Sequence, residues 1–204
     1  MPSALENFPL SLILASTSPR RKELLGYLGL PFLVTSPATE EKHRPGESGV
    51  DYALRNSMEK AEAVYQSRAD RSKPVIAIGA DTIGMLDDKV LEKPSDTADA
   101  IRMLTTMSGR SHKVITAVSL VGDDQGKIHR DSFSVETLVF FKQLSPAEIA
   151  YYVQTKEPMD KAGSYGIQGI GGFLVRSIQG SYSNVVGLPL VELTEALQRW
   201  PSQN

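Results

Sequence analysis

Leu12-Ile13-Leu14-Ala15-Ser16-Thr17-Ser18-Pro19-Arg20-Arg21-Lys22-Glu23-Leu24-Leu25 passes without a break from an apolar run, through a hydroxyl-rich loop, into a strongly basic helix start. Leu12 to Leu14 read as a strand, and the small residues Ala15 to Ser18 let a ligand approach the backbone. Pro19 brings the fixed φ suited to a first helical position, with Ser18 as its N-cap. A helix start is the positive end of the dipole and favours acids. Here it carries Arg20, Arg21 and Lys22 instead, an arrangement whose cost is tolerable where an anion sits. Free N–H groups, hydroxyls and guanidinium forks at one helix end make a phosphate or polyphosphate cradle. A solvated basic turn is the alternative that this stretch alone leaves open.

The chain around it has 204 residues, 41% of them hydrophobic, enough to bury a core as one large domain or two closely joined lobes. A formal charge of −2 argues against a general nucleic-acid or membrane surface, so the local basic cluster addresses a small anion. Cysteine is absent, which excludes disulfides, thiol nucleophiles and thiolate metal sites and fits a reducing cytosol. The apolar run from Phe8 to Ala15 is too short to span a membrane and precedes its arginines, so no targeting segment is read.

In order, the first helix is expected over Pro19 to Tyr27, stopping near Gly29, followed by a strand over Phe32 to Thr35 and a polar loop over Ser36 to Ser48 that holds Glu40 and Glu41. Val50, Ala53, Leu54, Ser57, Met58, Ala61, Val64 and Tyr65 then recur at helical spacing. Lys60 stands about 100° from Ala61, at the edge of that apolar stripe. The helix by itself favours a snorkelling surface lysine there. Val75 to Gly79 reads as a buried strand ending at Ala80, Asp81 and Thr82. An acid at the end of a buried strand is costly unless it meets a cation, a metal or a proton-transfer task. Asp81 is therefore the leading catalytic candidate, with a turn-capping aspartate as the alternative.

Ile83 to Leu86 and Val90 to Glu92 flank a hairpin-like turn at Asp87 to Lys89, which is expected to return Lys93 toward Asp81. Thr97 or Ser95 caps a helix through Met107 that closes at Ser108 and Gly109. Strands are expected over Arg110 to Val121, with His112 near its start, and over Ile128 to Phe141 as one or two pieces, with a turn at Gly122 to Gly126 between them. Ser145, Pro146 and Glu148 make a capping-box pattern that opens the next helix.

Glu157 to Gly172 is the second informative stretch: Gly163, Gly166, Gly169, Gly171 and Gly172 among polar side chains suggest backbone held close to a ligand rather than a packing element. Gln168 offers one acceptor and two donors, which match N3–H and O4 of a uracil or thymine edge; a glutamine in a surface loop is the alternative. Phe173 to Ile178 reads as a strand, Gly180 to Gly187 as a turn-rich loop, and Pro189 as the start of a closing helix.

Together these residues carry a resemblance. Ala15 to Leu25, Gly79-Ala80-Asp81-Thr82, Leu91-Glu92-Lys93-Pro94, Ser108-Gly109-Arg110-Ser111-His112, and Glu157 to Gly169 (EPMDKAGSYGIQG) are similar, in this order, to the motifs of the Maf family. The resemblance implies an α/β fold, two-lobed, with an elongated mixed sheet, flanking helices and a cleft between the lobes, like the inosine triphosphate pyrophosphatases. It makes residues 1–204 a single domain of two lobes rather than two independent domains. It implies a cytosolic, metal-dependent nucleoside triphosphate pyrophosphatase, and the runs at 160–163 and 165–169 are similar to the branch acting on dTTP and UTP rather than on 7-methyl-GTP.

By the same resemblance the proton acceptor falls on Asp81, base selection on Arg20, Thr82 and Gln168, and the charged set on Arg21, Glu41, Lys60 and Lys93, with Ser16 in the phosphate loop. Glu41 is preferred to Glu40 by position. The implied cofactor is a divalent cation held by Glu41 and Asp81, Mg²⁺ first with Mn²⁺ or Co²⁺ as alternatives. Asp81 then acts on the attacking water directly or through the metal. The implied partner is a nucleoside triphosphate, with no nucleic acid and no membrane; a homodimer is left open. Two other functions stay in view: a nucleotide-binding regulator of septum formation without turnover, and a generic phosphomonoesterase.

Overall fold

The computed structural model describes Leu5, Phe8 and residues 10–69, 73–124 and 127–200. Its order is β1 (Ser11–Ala15), α1 (Pro19–Gly26), β2 (Phe32–Thr35), α2 (Gly49–Ser67), β3 (Val75–Leu86), β4 (Lys89–Leu91), α3 (Thr97–Met107), β5 (Ser111–Asp124), β6 (Lys127–Phe141), α4 (Pro146–Gln154), β7 (Val175–Gln179), α5 (Tyr182–Val186) and α6 (Leu190–Arg199). Three 3₁₀ segments, Glu157–Asp160, Ala162–Ser164 and Ile170–Leu174, lie between α4 and β7. No helix among the described residues is long and apolar enough to cross a membrane.

The strands form one mixed seven-stranded sheet in the order β2-β1-β3-β5-β6-β7, with β4 paired to β3 off this path. β1 pairs in parallel with β2 (Leu12 opposite Phe32) and with β3 (Ser11 opposite Val75, Ala15 opposite Gly79). β3 and β4 are antiparallel, Gly84 facing Leu91 and Leu86 facing Lys89. Asp87 and Asp88 turn this hairpin with φ of 48° and 61°, the double left-handed pair of a type I′ connection. β6 and β7 are antiparallel with an irregularity at Phe140 and Phe141. The fold is thus the expected mixed α/β sheet with flanking helices.

The chain divides into two compact units. The first comprises Met1–Asp81, Thr116–Val135 and Gly187–Asn204, and the second Thr82–Ile115 and Glu136–Val186. In the first, Ala61, Val64 and Tyr65 of α2 close on Ile13, Ala15, Val75, Ala77 and Val121 of the sheet. α2 comes so near β3 that a Cβ on Gly79 would lie 2.7 Å from the backbone nitrogen of Ala61, and closer still to the carbonyl of Ser57. In the second unit Leu104, Met107, Val139, Phe141, Tyr152 and Leu174 are packed together, and the rings of His112, Phe141 and Tyr165 meet edge to face at 4.8 to 5.2 Å.

Several expectations need correction. The strand does not stop at Gly79: β3 runs on to Leu86, because Asp81 and Thr82 keep extended geometry inside the ladder. α1 ends at Gly26, one residue short of the expected Tyr27, which caps it. The cap of α3 is Asp96, whose carboxylate accepts from the Asp99 nitrogen at 2.8 Å, rather than its neighbours Ser95 or Thr97. β6 is one strand, and β7 begins at Val175 because Phe173 belongs to a 3₁₀ segment. The stretch expected as a loop at Gly180 to Gly187 contains α5, and Pro189 is the residue before α6 rather than its first. Of the expected turn at Gly122 to Gly126, residues 122–124 belong to β5 and residues 125 and 126 lie outside the described residues. The Ser145 and Glu148 capping box of α4 is present in both its bonds.

Candidate active site

In the first unit the hydroxyl loop is built as its residues dictate. Ser18 caps α1, Ser16 Oγ accepts from the Ser18 nitrogen at 3.2 Å, and Pro19 stands in the first turn, which holds no acid. Arg21 folds back rather than into solvent: its Nε donates to the Gly187 carbonyl at 2.9 Å and its Nη1 to Ser16 Oγ at 3.4 Å. Desolvation lowers its pKa, while the charges of Asp81 and Glu41 oppose that shift and Arg20 adds to it. Arg20 is half-buried and Lys22 exposed.

Lys60 is where the helix alone misleads. Its ammonium is buried, and Nζ lies 2.6 Å from Asp81 Oδ1, 2.7 Å from Glu41 Oε1 and 3.4 Å from the Ala80 carbonyl. The snorkelling alternative is excluded by these contacts, which arise from the close approach of α2 to β3. Asp81 is buried as well, and its second oxygen accepts from Asn56 Nδ2 at 3.2 Å. Two carboxylates therefore converge on one ammonium, one of them shielded from water and the other, Glu41, with its side chain 46% exposed. Glu40 points elsewhere, pairing with Lys42 in solvent.

The segment after Glu41 is fastened to α2 by Arg55. Its Nε and Nη2 grip the two oxygens of Glu47 at 2.6 and 2.8 Å, and Nη2 also donates to the Lys42 carbonyl at 2.9 Å. This fork holds the Glu47 carboxyl down at about 2. Sequence pattern does not single out Asn56, Arg55 or Glu47, although Asn56 and Arg55 stand four and five residues before Lys60, within helical reach of one another's face.

The second unit carries Thr82, Lys93 and Gln168. Thr82 follows Asp81 within β3, and Lys93 stands two residues beyond β4. Gln168 is half-buried in the segment between two 3₁₀ turns. That segment is organised by its own side chains: Tyr152 and Glu157, which sequence reasoning misses, hold its amides, and Tyr165 Oη meets His112 Nε2 at 2.8 Å. His112 is buried, which pushes its pKa down to about 4. Gly163 and Gly169 take φ of 73° and 85°, left-handed backbone that favours glycine. Gly171 has a packing reason instead, since a Cβ there would lie 2.5 Å from the Tyr152 hydroxyl.

The structure thus brings Ser16 and Arg21 into contact, and Glu41 and Asp81 onto Lys60, with the charges of Asp81, Glu41 and Arg20 all acting on Arg21. A model of the family described as Maf-like protein matches residues 11–200. The dTTP/UTP pyrophosphatase of Vibrio parahaemolyticus is 50% identical over 191 residues, spanning 94% of this chain and 97% of its own. That of Shewanella oneidensis is 51% identical over 193 residues (92% and 97%), and that of Yersinia pestis 50% identical over 193 residues (95% and 94%). Among solved structures, a nucleoside-triphosphatase described as a dITP/XTP pyrophosphatase from Mycobacterium abscessus overlays with a TM-score of 0.39 at 14% identity, over 93% of this chain and 92% of that one.

Proposed function

The chain belongs to the Maf-like family, and from that premise we propose that it hydrolyses dTTP and UTP between the α- and β-phosphates to the nucleoside monophosphate and pyrophosphate. The reading is supported by relatives at about half identity over nearly the whole chain that carry that name, and by the chemistry of the first unit. The observation that carries it is Asp81: a buried carboxylate with one oxygen on Lys60 and the other on Asn56, electrostatically coupled to Arg21.

In this reading the hydroxyl loop and the start of α1 receive phosphate oxygens, with Ser16 and Arg21 already pre-positioned by their mutual bond. Arg20, Arg21, Lys60 and Lys93 spread the triphosphate charge. Asp81 orients a water and takes its proton as the water oxygen bonds to phosphorus; the bridging P–O bond breaks and pyrophosphate leaves with the bond's electrons. Thr82 and Gln168 contact the base, the Gln168 carbonyl accepting from N3–H and its amide donating to O4.

A divalent cation fits the residues present. Glu41 and Asp81 already converge on one cationic atom, the Lys60 nitrogen. Both offer hard oxygen donors, which suit Mg²⁺. Mg²⁺ is commonly held by one or two carboxylates plus substrate phosphates. Bound by Glu41 and Asp81, the ion would supply charge neutralisation at phosphate oxygens.

The test is incubation with dTTP, UTP, CTP, ATP and GTP in the presence of Mg²⁺, with products separated by chromatography. Monophosphate plus pyrophosphate from dTTP and UTP, slower turnover of CTP and poor turnover of purines are expected. Release of inorganic phosphate, or tight binding without turnover, would overturn the assignment. A Gln168→Ala variant is expected to hydrolyse UTP while losing its preference over CTP.

A further inference from the structure

Glutamine can present its amide either way round, so a uracil edge and a cytosine edge differ for Gln168 only if its placement is fixed by something else. Helices and strands do not fix it: Gln168 lies in an irregular segment between Ala162–Ser164 and Ile170–Leu174. What fixes that segment is a pair of side chains, Tyr152 near the end of α4 and Glu157 at the start of the 3₁₀ segment that follows it. The Glu157 carboxylate accepts from the Gly171 nitrogen at 3.0 Å and from the Tyr152 hydroxyl at 2.9 Å through Oε1, and from the Ile170 nitrogen at 3.1 Å through Oε2. The Tyr152 hydroxyl in turn accepts from the Gly166 nitrogen at 3.1 Å. Backbone donors two residues before Gln168 and two and three residues after it are thereby tied to one carboxylate.

The surrounding chain is shaped to this arrangement. Lys156 takes a left-handed conformation, φ 61°, as the chain leaves α4 for Glu157. Lys161 Nζ donates to the Glu157 carbonyl at 2.6 Å, and its stem covers Gly166, where a Cβ would lie 2.8 Å from Cε. A Cβ on Gly169 would approach Glu157 Oε2 to 3.1 Å. Tyr152 is fully buried, and burial pushes its phenol above the ordinary range, so the hydroxyl stays protonated as the donor to Glu157.

We propose that Glu157 and Tyr152 are positioning residues for base selection, a buckle that closes the 166–171 segment and so fixes the backbone from which Gln168 presents its amide to the base. The proposal rests on the reading of Gln168 as a base contact. Glutamine at 157 cannot accept on both oxygens, because its –NH₂ must face either the Ile170 N–H or the Gly171 N–H and Tyr152 O–H. One half of the buckle then opens while the chain keeps its shape and its phosphate-binding residues.

The experiment compares kcat/KM for UTP and CTP, with Mg²⁺, in the parent, Glu157→Gln, Tyr152→Phe, Gln168→Ala and the double variant Glu157→Gln/Gln168→Ala. Glu157→Gln is expected to lower the UTP-to-CTP ratio by about fivefold or more, the effect of losing one oriented hydrogen bond, with kcat for UTP changed much less. Tyr152→Phe should move the ratio in the same direction. In the double variant Glu157→Gln should have no further effect, since the ratio depends on it only through Gln168. Asp99→Ala, which removes a cap interaction of α3, supplies a control with lost stability and an unchanged ratio. Amide hydrogen exchange at Ile170 and Gly171 should quicken in Glu157→Gln. An unchanged ratio in Glu157→Gln alongside a flattened one in Gln168→Ala overturns the buckle and leaves the base contact standing. An unchanged ratio in Gln168→Ala overturns both. A ratio shifted equally by Asp99→Ala assigns the effect to general loosening and overturns the buckle.

Discussion

Replacing Lys60 by methionine keeps the stem packed against β3 and deletes only the ammonium, so the cost falls on the two carboxylates that it pairs. Glu41 has its side chain 46% exposed, so water takes the place of the lost ion pair at a cost of no more than about 1 kcal/mol. Asp81 is buried and keeps the bond that it accepts from Asn56 Nδ2 at 3.2 Å. A buried charge that loses its counter-ion costs about 3 to 5 kcal/mol, so Lys60→Met is expected to lose about 3 kcal/mol or more, nearly all of it through Asp81. Asp81→Asn should lose less, because Lys60 keeps Glu41 and a carboxamide oxygen, while Asn56 must turn its amide to meet the new –NH₂. The double variant buries no unpaired charge and should be more stable than Lys60→Met alone, a coupling that only a direct interaction produces. Urea unfolding reads these differences, and pyrophosphate release at saturating UTP should fall by roughly two or more orders of magnitude in all three. If Lys60→Met matched the parent in stability, or if the double variant were the sum of the singles, the ammonium would not be the counter-ion of Asp81 and the reasoning would fail.

Two further outcomes concern the scaffold. His112 titrates at 6.5 when unfolded and is held by burial at about 4 when folded, so the unfolded chain binds the extra proton. Its contribution is present above pH 6.5 and drains away as pH falls to 4, amounting to about 3 kcal/mol; His112→Asn should show a visibly shallower loss of urea stability over that window, and identical slopes would remove the residue from the acid response. Gly79→Ala would drive a methyl into the backbone of α2 at Ser57 and Ala61. A loss of about 1 to 3 kcal/mol is expected, with activity falling further than stability because the displaced helix carries Lys60; unaltered urea midpoints and turnover would refute the close packing.

The parts of the molecule that are legible in the sequence are those in which a residue states its own role. Pro19 after Ser18, the Ser145 and Glu148 box and the apolar spacing of α2 each name a local conformation, and the structure agrees with them. Illegible parts depend on what lies across the chain. Lys60 sits at the edge of an apolar stripe, where pattern cannot distinguish solvent from an acid on β3; the near contact of Gly79 with α2 decides it. Asp81 and Thr82 look like a strand end because aspartate seldom continues a buried ladder, yet Lys60 and Asn56 satisfy the carboxylate and the strand runs on. Asp96 is hidden as a cap because Ser95 and Thr97 on either side have the same competence. The Glu157 contacts are beyond reading altogether: two of its partners are backbone amides of residues 170 and 171, and a backbone amide leaves no trace in the pattern of side chains.

Charge accounting in the first unit joins these observations to the chemistry proposed. Arg21 and Lys60 contribute two positive charges, Asp81 and Glu41 two negative ones, and the four groups act on one another through the two Lys60 ion pairs and the field at Arg21. The set is therefore close to neutral on its own, which is why it can be assembled partly away from water without a ligand. A triphosphate adds several negative charges to a neutral set. In the proposed reading Arg20 would offset part of that excess, and a divalent cation held by the two carboxylates would offset two charges more while leaving Lys60 and Arg21 available to phosphate oxygens. Affinity for a monophosphate, with fewer charges to place, should then depend on Mg²⁺ much less than affinity for the triphosphate. The same neutrality makes Lys60 a two-sided residue: it is the counter-ion that lets Asp81 be buried, and the cation nearest to the point at which Asp81 would take a proton.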